Sequence, residues 1–140
     1  MNRISLDSFG ILSFQCQRLA HLNETGVKSP TLNLRYSASF DEGTDRRFMI
    51  VFQLKMNHPG QFELNTGYAA WFQTSEPIDQ AFRDSDFVSV NAPAIAYPYL
   101  RSFISTFTTN AGLQVAILPT INFVEARTSM MTRLEIGEEE

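Results

Sequence analysis

Cysteine is almost missing from this chain: Cys16 stands alone among 140 residues. One thiol closes no intrachain disulfide and builds no cysteine-based zinc site, which agrees with a reducing compartment. Long apolar runs are lacking as well, since no stretch approaches the roughly 18 residues of a membrane span. The opening MNRISLDSFG has no basic-then-apolar layout of a signal peptide, so a cytoplasmic protein with no direct membrane insertion is expected. An excess of positive charge is absent too. The net charge is -4, and four of the fifteen acids fall within residues 135–140, which leaves a neutral body with an acidic tail. A neutral body offers no footprint for nucleic acid, whose binding rests on clustered Lys and Arg.

Enzyme signatures are missing in the same way. There is no GxGxxG, P-loop, HExxH, GxSxG or CxxC, and no catalytic residue, metal site or cofactor is expected. His58 sits in a turn beside Pro59 and His21 ends a strand-like stretch, where a structural or solvated role is the ordinary reading. Cys16 falls in a strand pattern with Arg18 as its one local cation, which suits a small core residue better than a nucleophile. Asp84 with Asp86, and Asp41 with Glu42, lie in polar loops without further ligands nearby and are read as solvated.

What the chain does have is apolar mass: 44% hydrophobic residues, including twelve Phe, enough for one folded core and too much for a disordered chain. One domain over residues 1–134 followed by a tail at 135–140 is expected. Period two is clearest where Leu32, Leu34, Tyr36, Ala38 and Phe40 alternate with Asn33, Arg35, Ser37 and Ser39, the mark of a half-buried strand. Phe48, Ile50, Phe52, Leu54 and Met56 repeat it after a polar turn, and Phe62 to Thr74 follows His58-Pro59-Gly60. Upstream, Leu12, Phe14 and Cys16 alternate with Ser13, Gln15 and Gln17. Short connections between these stretches predict an antiparallel meander of four strands.

Glu76 to Val90 reads as an ordered crossover. Beyond it the period changes to 3.6: Ile95, Tyr99, Phe103 and Phe107 form one stripe beside Leu100, Ile104 and Ala111. Proline lacks the amide that an interior turn donates, so the main helix is expected from Pro98 to Ala111, with Gly112 as its stop. A buried connection through Ile117, Leu118 and Pro119 should lead to a second helix from Asn122 to Leu134, opened by a capping pair of Asn122 and Glu125. The fold class is therefore α+β, a four-stranded antiparallel sheet followed by a long helix and a shorter C-terminal helix.

The second half holds more large apolar groups than one face of such a sheet can cover, which points to oligomer burial or an adaptable groove as well as core. Methionine and aromatic side chains suit a promiscuous groove because they deform without demanding one partner shape.

From Ala92 to Phe123 the residues resemble the SecB export chaperone family. Ala96-Tyr97-Pro98-Tyr99-Leu100-Arg101 is similar to the family's Phe-Pro-Tyr-Ala-Arg motif, and Gln114 to Phe123 to its leucine-rich approach to Pro-Val-Asn-Phe. Phe14 to Leu19 looks like the family's first strand. The chain departs from the pattern by one extra residue between Pro119 and Asn122, and by Leu100 and Ser102 beside Arg101. The resemblance implies an ATP-independent holdase that binds unfolded or secretory polypeptides, needs no cofactor and assembles as a homotetramer, a dimer of dimers. Tyr99, Phe103 and Phe107 would then lie at the helix-mediated interface. Client-groove candidates are Trp71, Phe72, Ile78, Phe82, Phe87, Phe123, Met130, Met131 and Leu134, each equally suited to plain core packing. Family members pass clients to the motor SecA, using an acidic outer sheet surface and the C-terminal region. A chaperone dedicated to one partner, such as an antitoxin, is the alternative, and a small-ligand binder or enzyme on the same fold is the alternative of another class.

Overall fold

The computed structural model describes residues 2–19, 30–128 and 131–135. Its frame is an antiparallel sheet of β1 (Ile4–Arg18), β2 (Thr31–Phe40), β3 (Arg47–His58), β4 (Phe62–Thr74) and β5 (Met131–Glu135), in the order β1-β4-β3-β2-β5. One long helix, α2 (Ala92–Asn110), lies on one face; the short helices α1 (Gln80–Arg83) and α3 (Phe123–Ala126) flank it. The expected four strands, long helix and short helix are all present.

Alternation along the strands decides the two faces. Leu32, Leu34, Phe48, Ile50, Phe52, Leu54, Phe62, Leu64 and Phe72 are each no more than 2% exposed and meet Ala96, Leu100 and Ile104 of α2 in one core. Burying one such side chain stabilises the fold by about 1.5–3 kcal/mol. The opposite face is polar over most of its area, with Asn33, Arg35, Gln53, Lys55 and Asn65 exposed. Among the described residues no helix is long and apolar enough to cross a membrane.

Four details differ from the sequence reading, each for a local reason. β1 starts at Ile4 and carries register shifts between Leu6 and Ser8 and between Ile11 and Ser13. Each shift adds one residue to the strand, so strict alternation slips twice. Phe9, opposite Ala70, therefore shares the helix face with Phe14, whereas Leu12 falls at a shift and is 50% exposed. The second difference is Pro98, which lies inside α2 instead of near its start. It is exposed, as is Ala94, the residue whose carbonyl loses its partner, so water can satisfy that oxygen. A π-turn at Phe87–Asn91 leads directly into the helix and extends it upstream.

The third difference is the C-terminal helix, which ends at Ala126. Asn122 does cap it, its Oδ1 accepting from the Val124 and Glu125 amides at 3.0 and 3.3 Å. Met131–Glu135, expected to prolong the helix, instead pairs as β5 with Thr31–Arg35. An open sheet edge presents unpaired amides and carbonyls, and a strand laid along it satisfies them. The fourth difference is Ile117, expected to be buried with Leu118: it is 60% exposed while Leu118 is fully buried. The expected acidic tail lies outside the described residues except for Glu135, which closes β5.

The helix end follows expectation. Gly112 adopts φ +76°, a conformation that side chains resist. The turn this permits lets the Gly112 and Leu113 amides donate to Thr109 and Thr108 carbonyls at 3.2 and 3.0 Å, closing the last turn.

Candidate functional site

The segment joining β4 to α2 is pinned at several points. The Ile78 amide donates to the Asp45 carbonyl at 2.6 Å, and Asp79 caps α1 through the Phe82 amide at 2.8 Å. These bonds hold Phe82 edge-on to Phe48 at 5.7 Å and stacked on Phe87 at 5.8 Å. Phe48 stacks in turn on Phe72 and Phe40, at 5.3 and 5.7 Å. Arg83 sits 4.6 Å above the Phe40 ring, a cation over an aromatic face. Around this aromatic corner open two hollows. One, of about 260 Å³, is lined by Phe40, Ile78, Arg83 and the acidic turn Asp41, Glu42 and Asp45. The other, of about 460 Å³, takes in Phe40, Met49 and Trp71. Phe40 borders both.

The groove candidates thus separate. Ile78, Phe82 and Phe87 gather with Phe40 at the corner, with Ile78 and Phe87 half-buried and Phe82 buried. Phe72 is fully enclosed beneath them. Trp71, its neighbour in β4, points to the opposite sheet face, because successive strand residues alternate. It reaches the corner only around the rim, through the hollow it shares with Phe40. Phe123 lies elsewhere, buried edge-on to Tyr36 and Tyr97 at 5.2 and 5.7 Å. Met131 and Leu134 belong to β5, and Met130 lies outside the described residues. Phe40 was missed from sequence; its signal was its place as the last inward residue of β2 before the turn.

The second cluster of candidates sits at the other edge of the sheet. Phe103 packs on Phe14 and Tyr68 at 5.5 and 5.8 Å, Phe107 on Phe14 at 4.7 Å, and Tyr99 on Phe9 at 4.3 Å. Phe9 and Tyr99 are 47% and 40% exposed, and Ile11 and Leu12 continue this apolar surface along β1. Burial against this layer pushes the Cys16 thiol up, partly offset by Arg18, which removes thiolate and argues for a packing role.

Between α2 and the following segment runs a ladder of side chains spaced on one helix face. Tyr97 Oη donates to the Pro119 carbonyl at 2.6 Å, Arg101 Nε to Leu118 at 2.9 Å and Ser105 Oγ to Ala116 at 3.2 Å. Thr108 Oγ1 accepts from the Ala116 amide at 3.0 Å and donates to Ile104. Tyr97 and Arg101 therefore act by holding the loop, with Ala116 and Leu118 inward and Val115 and Ile117 outward. Desolvation raises the Tyr97 and Tyr68 hydroxyls and pushes Tyr36 up to about 12; Tyr36 donates to the Ser89 carbonyl at 3.0 Å. His58 rests against Phe62 at 5.4 Å, and His21 lies outside the described residues. Among the described residues no three His, Cys, Asp or Glu side chains converge as metal ligands.

The protein is thus a single antiparallel sheet carrying one long helix, with an aromatic cluster toward each edge of the sheet. The chain belongs to the SecB family: the model of the preprotein translocase subunit SecB matches residues 11–132. An uncharacterized Methanocaldococcus jannaschii protein, MJ0357, is 27% identical over 128 residues, covering 85% of this chain and 79% of its own. The fold is similar to that of the Mycobacterium tuberculosis SecB-like chaperone Rv1957, solved in complex with a ChAD peptide from the HigA1 antitoxin. That match has a TM-score of 0.64 at 16% identity and covers 86% of this chain and 88% of that one. A Streptococcus agalactiae protein of unknown function matches with a TM-score of 0.52 at 11% identity, over 86% and 99% of the two chains.

Proposed function

We propose that this protein is an ATP-independent holdase that binds unfolded or secretory polypeptides without catalysing a reaction on them, and that it works in the cytoplasm. The observation that carries this reading is the aromatic corner around Phe40, Ile78, Phe82 and Phe87 in a chain of the SecB family. A client segment gains about 25 cal/mol for each Å² of apolar area it buries there. Holding the unfolded state withdraws it from aggregation by mass action, which requires no nucleotide or cofactor.

The same reading makes residues 1–134 one domain and the protomer part of a homotetramer, a dimer of dimers. The surface of Phe9, Ile11, Leu12 and Tyr99 with Phe103 and Phe107 is our candidate interface, since a contiguous apolar patch of this kind marks a contact site. Several copies multiply weak client contacts into avidity. In the export form of this function, clients pass to SecA. A second reading, dedication to one partner such as an antitoxin, is favoured by two observations. The similar Rv1957 chaperone holds an antitoxin peptide. The outer sheet face also carries Arg35 and Lys55 in a hollow with no carboxylate among its described lining residues, unlike the acidic face expected for SecA.

The test is capture of a non-native model client by Phe40→Glu and Ile78→Glu variants. Both should weaken capture with circular dichroism unchanged, and full capture would remove this corner from the function. Phe103→Asp should lower the mass of the assembly in light scattering; an unaltered mass would dismiss the helix interface.

A further inference from the structure

The outer sheet face, opposite α2, has a site of its own. Register aligns two rows of side chains across four strands: Ser13, Gly67, Gln53 and Arg35 in one, Gln15, Asn65, Lys55 and Asn33 in the next. Between them lies a hollow of about 580 Å³, bordered by Ser13, Asn33, Arg35, Gln53, Lys55 and Asn65, all exposed. Gly67 sits beside it with no room for a side chain: a Cβ there would come within 3.0 Å of Ser13 Oγ and 3.4 Å of Gln53 Nε2. The bare backbone instead donates its amide to Ser13 Oγ at 3.2 Å.

Among the described residues the lining holds two cations, three carboxamides and two hydroxyl residues, Ser13 and Thr66, beside Leu34 and Leu54, and no carboxylate. The ion pairs among the described residues, Asp7 with Arg47 and Asp86 with Arg127, lie elsewhere. Arg35 and Lys55 occupy diagonal positions on neighbouring strands, roughly 7–8 Å apart at the backbone, where like charges repel unless an anion intervenes. Glu63 stands one row further along, opposite Asn57. In the other direction the same face turns apolar, through Val51 and Ala69 to Met49 and Trp71.

We propose that this hollow binds an acidic polypeptide segment. Its carboxylates pair with Arg35 and Lys55, its backbone amides and carbonyls bond the carboxamides of Asn33, Gln53 and Asn65, and its apolar side chains lie toward Val51 and Ala69. A polypeptide fits better than nucleic acid, because two cations neutralise too few phosphates to hold a polyanion on a chain of net charge -4. Since the aromatic corner centres on the helix face, an acidic partner can dock here while a client is held.

The test is fluorescence anisotropy of the full chain with a labelled peptide of alternating Glu and Leu, and with its Lys-for-Glu counterpart. The acidic peptide should bind and the basic one should not, with binding weakening as salt rises. The double variant Arg35→Glu, Lys55→Glu should lose at least about tenfold in affinity while suppressing client aggregation as well as the parent. On the parent protein, the side-chain amide resonances of Asn33, Gln53 and Asn65 should shift on titration, a readout independent of variant folding. Equal binding of the basic peptide, an unchanged affinity in the double variant, or displacement of the acidic peptide by a lower concentration of single-stranded oligonucleotide would each overturn the proposal.

Discussion

The two edges of the sheet start from similar material and end differently. At the β2 edge, Leu32, Leu34 and Tyr36 are 1–3% exposed within the core, β5 pairs with the first half of the strand, and the Ser89 carbonyl of the π-turn accepts from the Tyr36 hydroxyl. At the β1 edge, Phe9, Ile11 and Leu12 are 47–50% exposed, though Phe9 packs on Tyr99 and β1 is the longest strand, at 15 residues. One edge is completed by the chain's own C-terminal strand. The other has no such cover among the described residues, and its two bulges add twist and curvature. Apolar character alone therefore does not say whether a residue is core or contact surface; what covers it does.

Substitutions at the two edges should separate these roles. Phe52→Ala, in the core under α2, should cost about 3–5 kcal/mol in urea unfolding, whereas Phe9→Ala should change protomer stability by less than about 0.5 kcal/mol and instead weaken assembly. A Phe9→Ala protein as unstable as Phe52→Ala would make β1 part of the core. Next in size, Arg101→Met should leave the Leu118 carbonyl without its donor, at about 1–3 kcal/mol, and speed hydrogen exchange in the loop at 114–120 while leaving the β1 edge unaffected.

Alkaline pH should act on the covered edge. The folded-state value of Tyr36 lies above that of an unfolded tyrosine, near 10, so the folded state holds the proton more tightly. Its contribution is complete below about pH 10 and is lost as pH rises toward about 12. Tyr36→Phe should flatten the loss of stability over that window, and an unaltered pH profile would show that Tyr36 does not govern it. Smallest, Asn122→Ala should remove the α3 cap and cost about 1 kcal/mol, read from the thermal midpoint.

Much of this was legible in the sequence where period and face agree. β2 and β3 alternate without interruption and β4 does so over Phe62 to Asn65, while the stripe of Leu100, Ile104 and their neighbours gave α2. What escaped notice depends on distant partners. The β1 bulges shift Phe9 onto the helix face with no Pro to mark them, and Gly10 between the two shifts is their one local signal. β5 reads as helix because Met131 and Leu134 are three apart and both good helix formers, while the open edge of β2 that takes it lies a hundred residues upstream. Pro98 looked like a helix start because the sequence does not say which side of the helix faces water. The candidate site was legible by composition but not by place: Trp71 and Phe72 are adjacent in sequence and on opposite faces in space. Phe40 gained its position from a hairpin and a crossover that meet only in the fold.

The most direct measurement of the central claim is light scattering from a non-native client, with multi-angle mass determination on the same purified protein and no nucleotide present. A mass of several protomers together with suppressed aggregation is the predicted result. A monomer that leaves the client free to aggregate would contradict both the covering of the β1 edge by further copies and the holdase function.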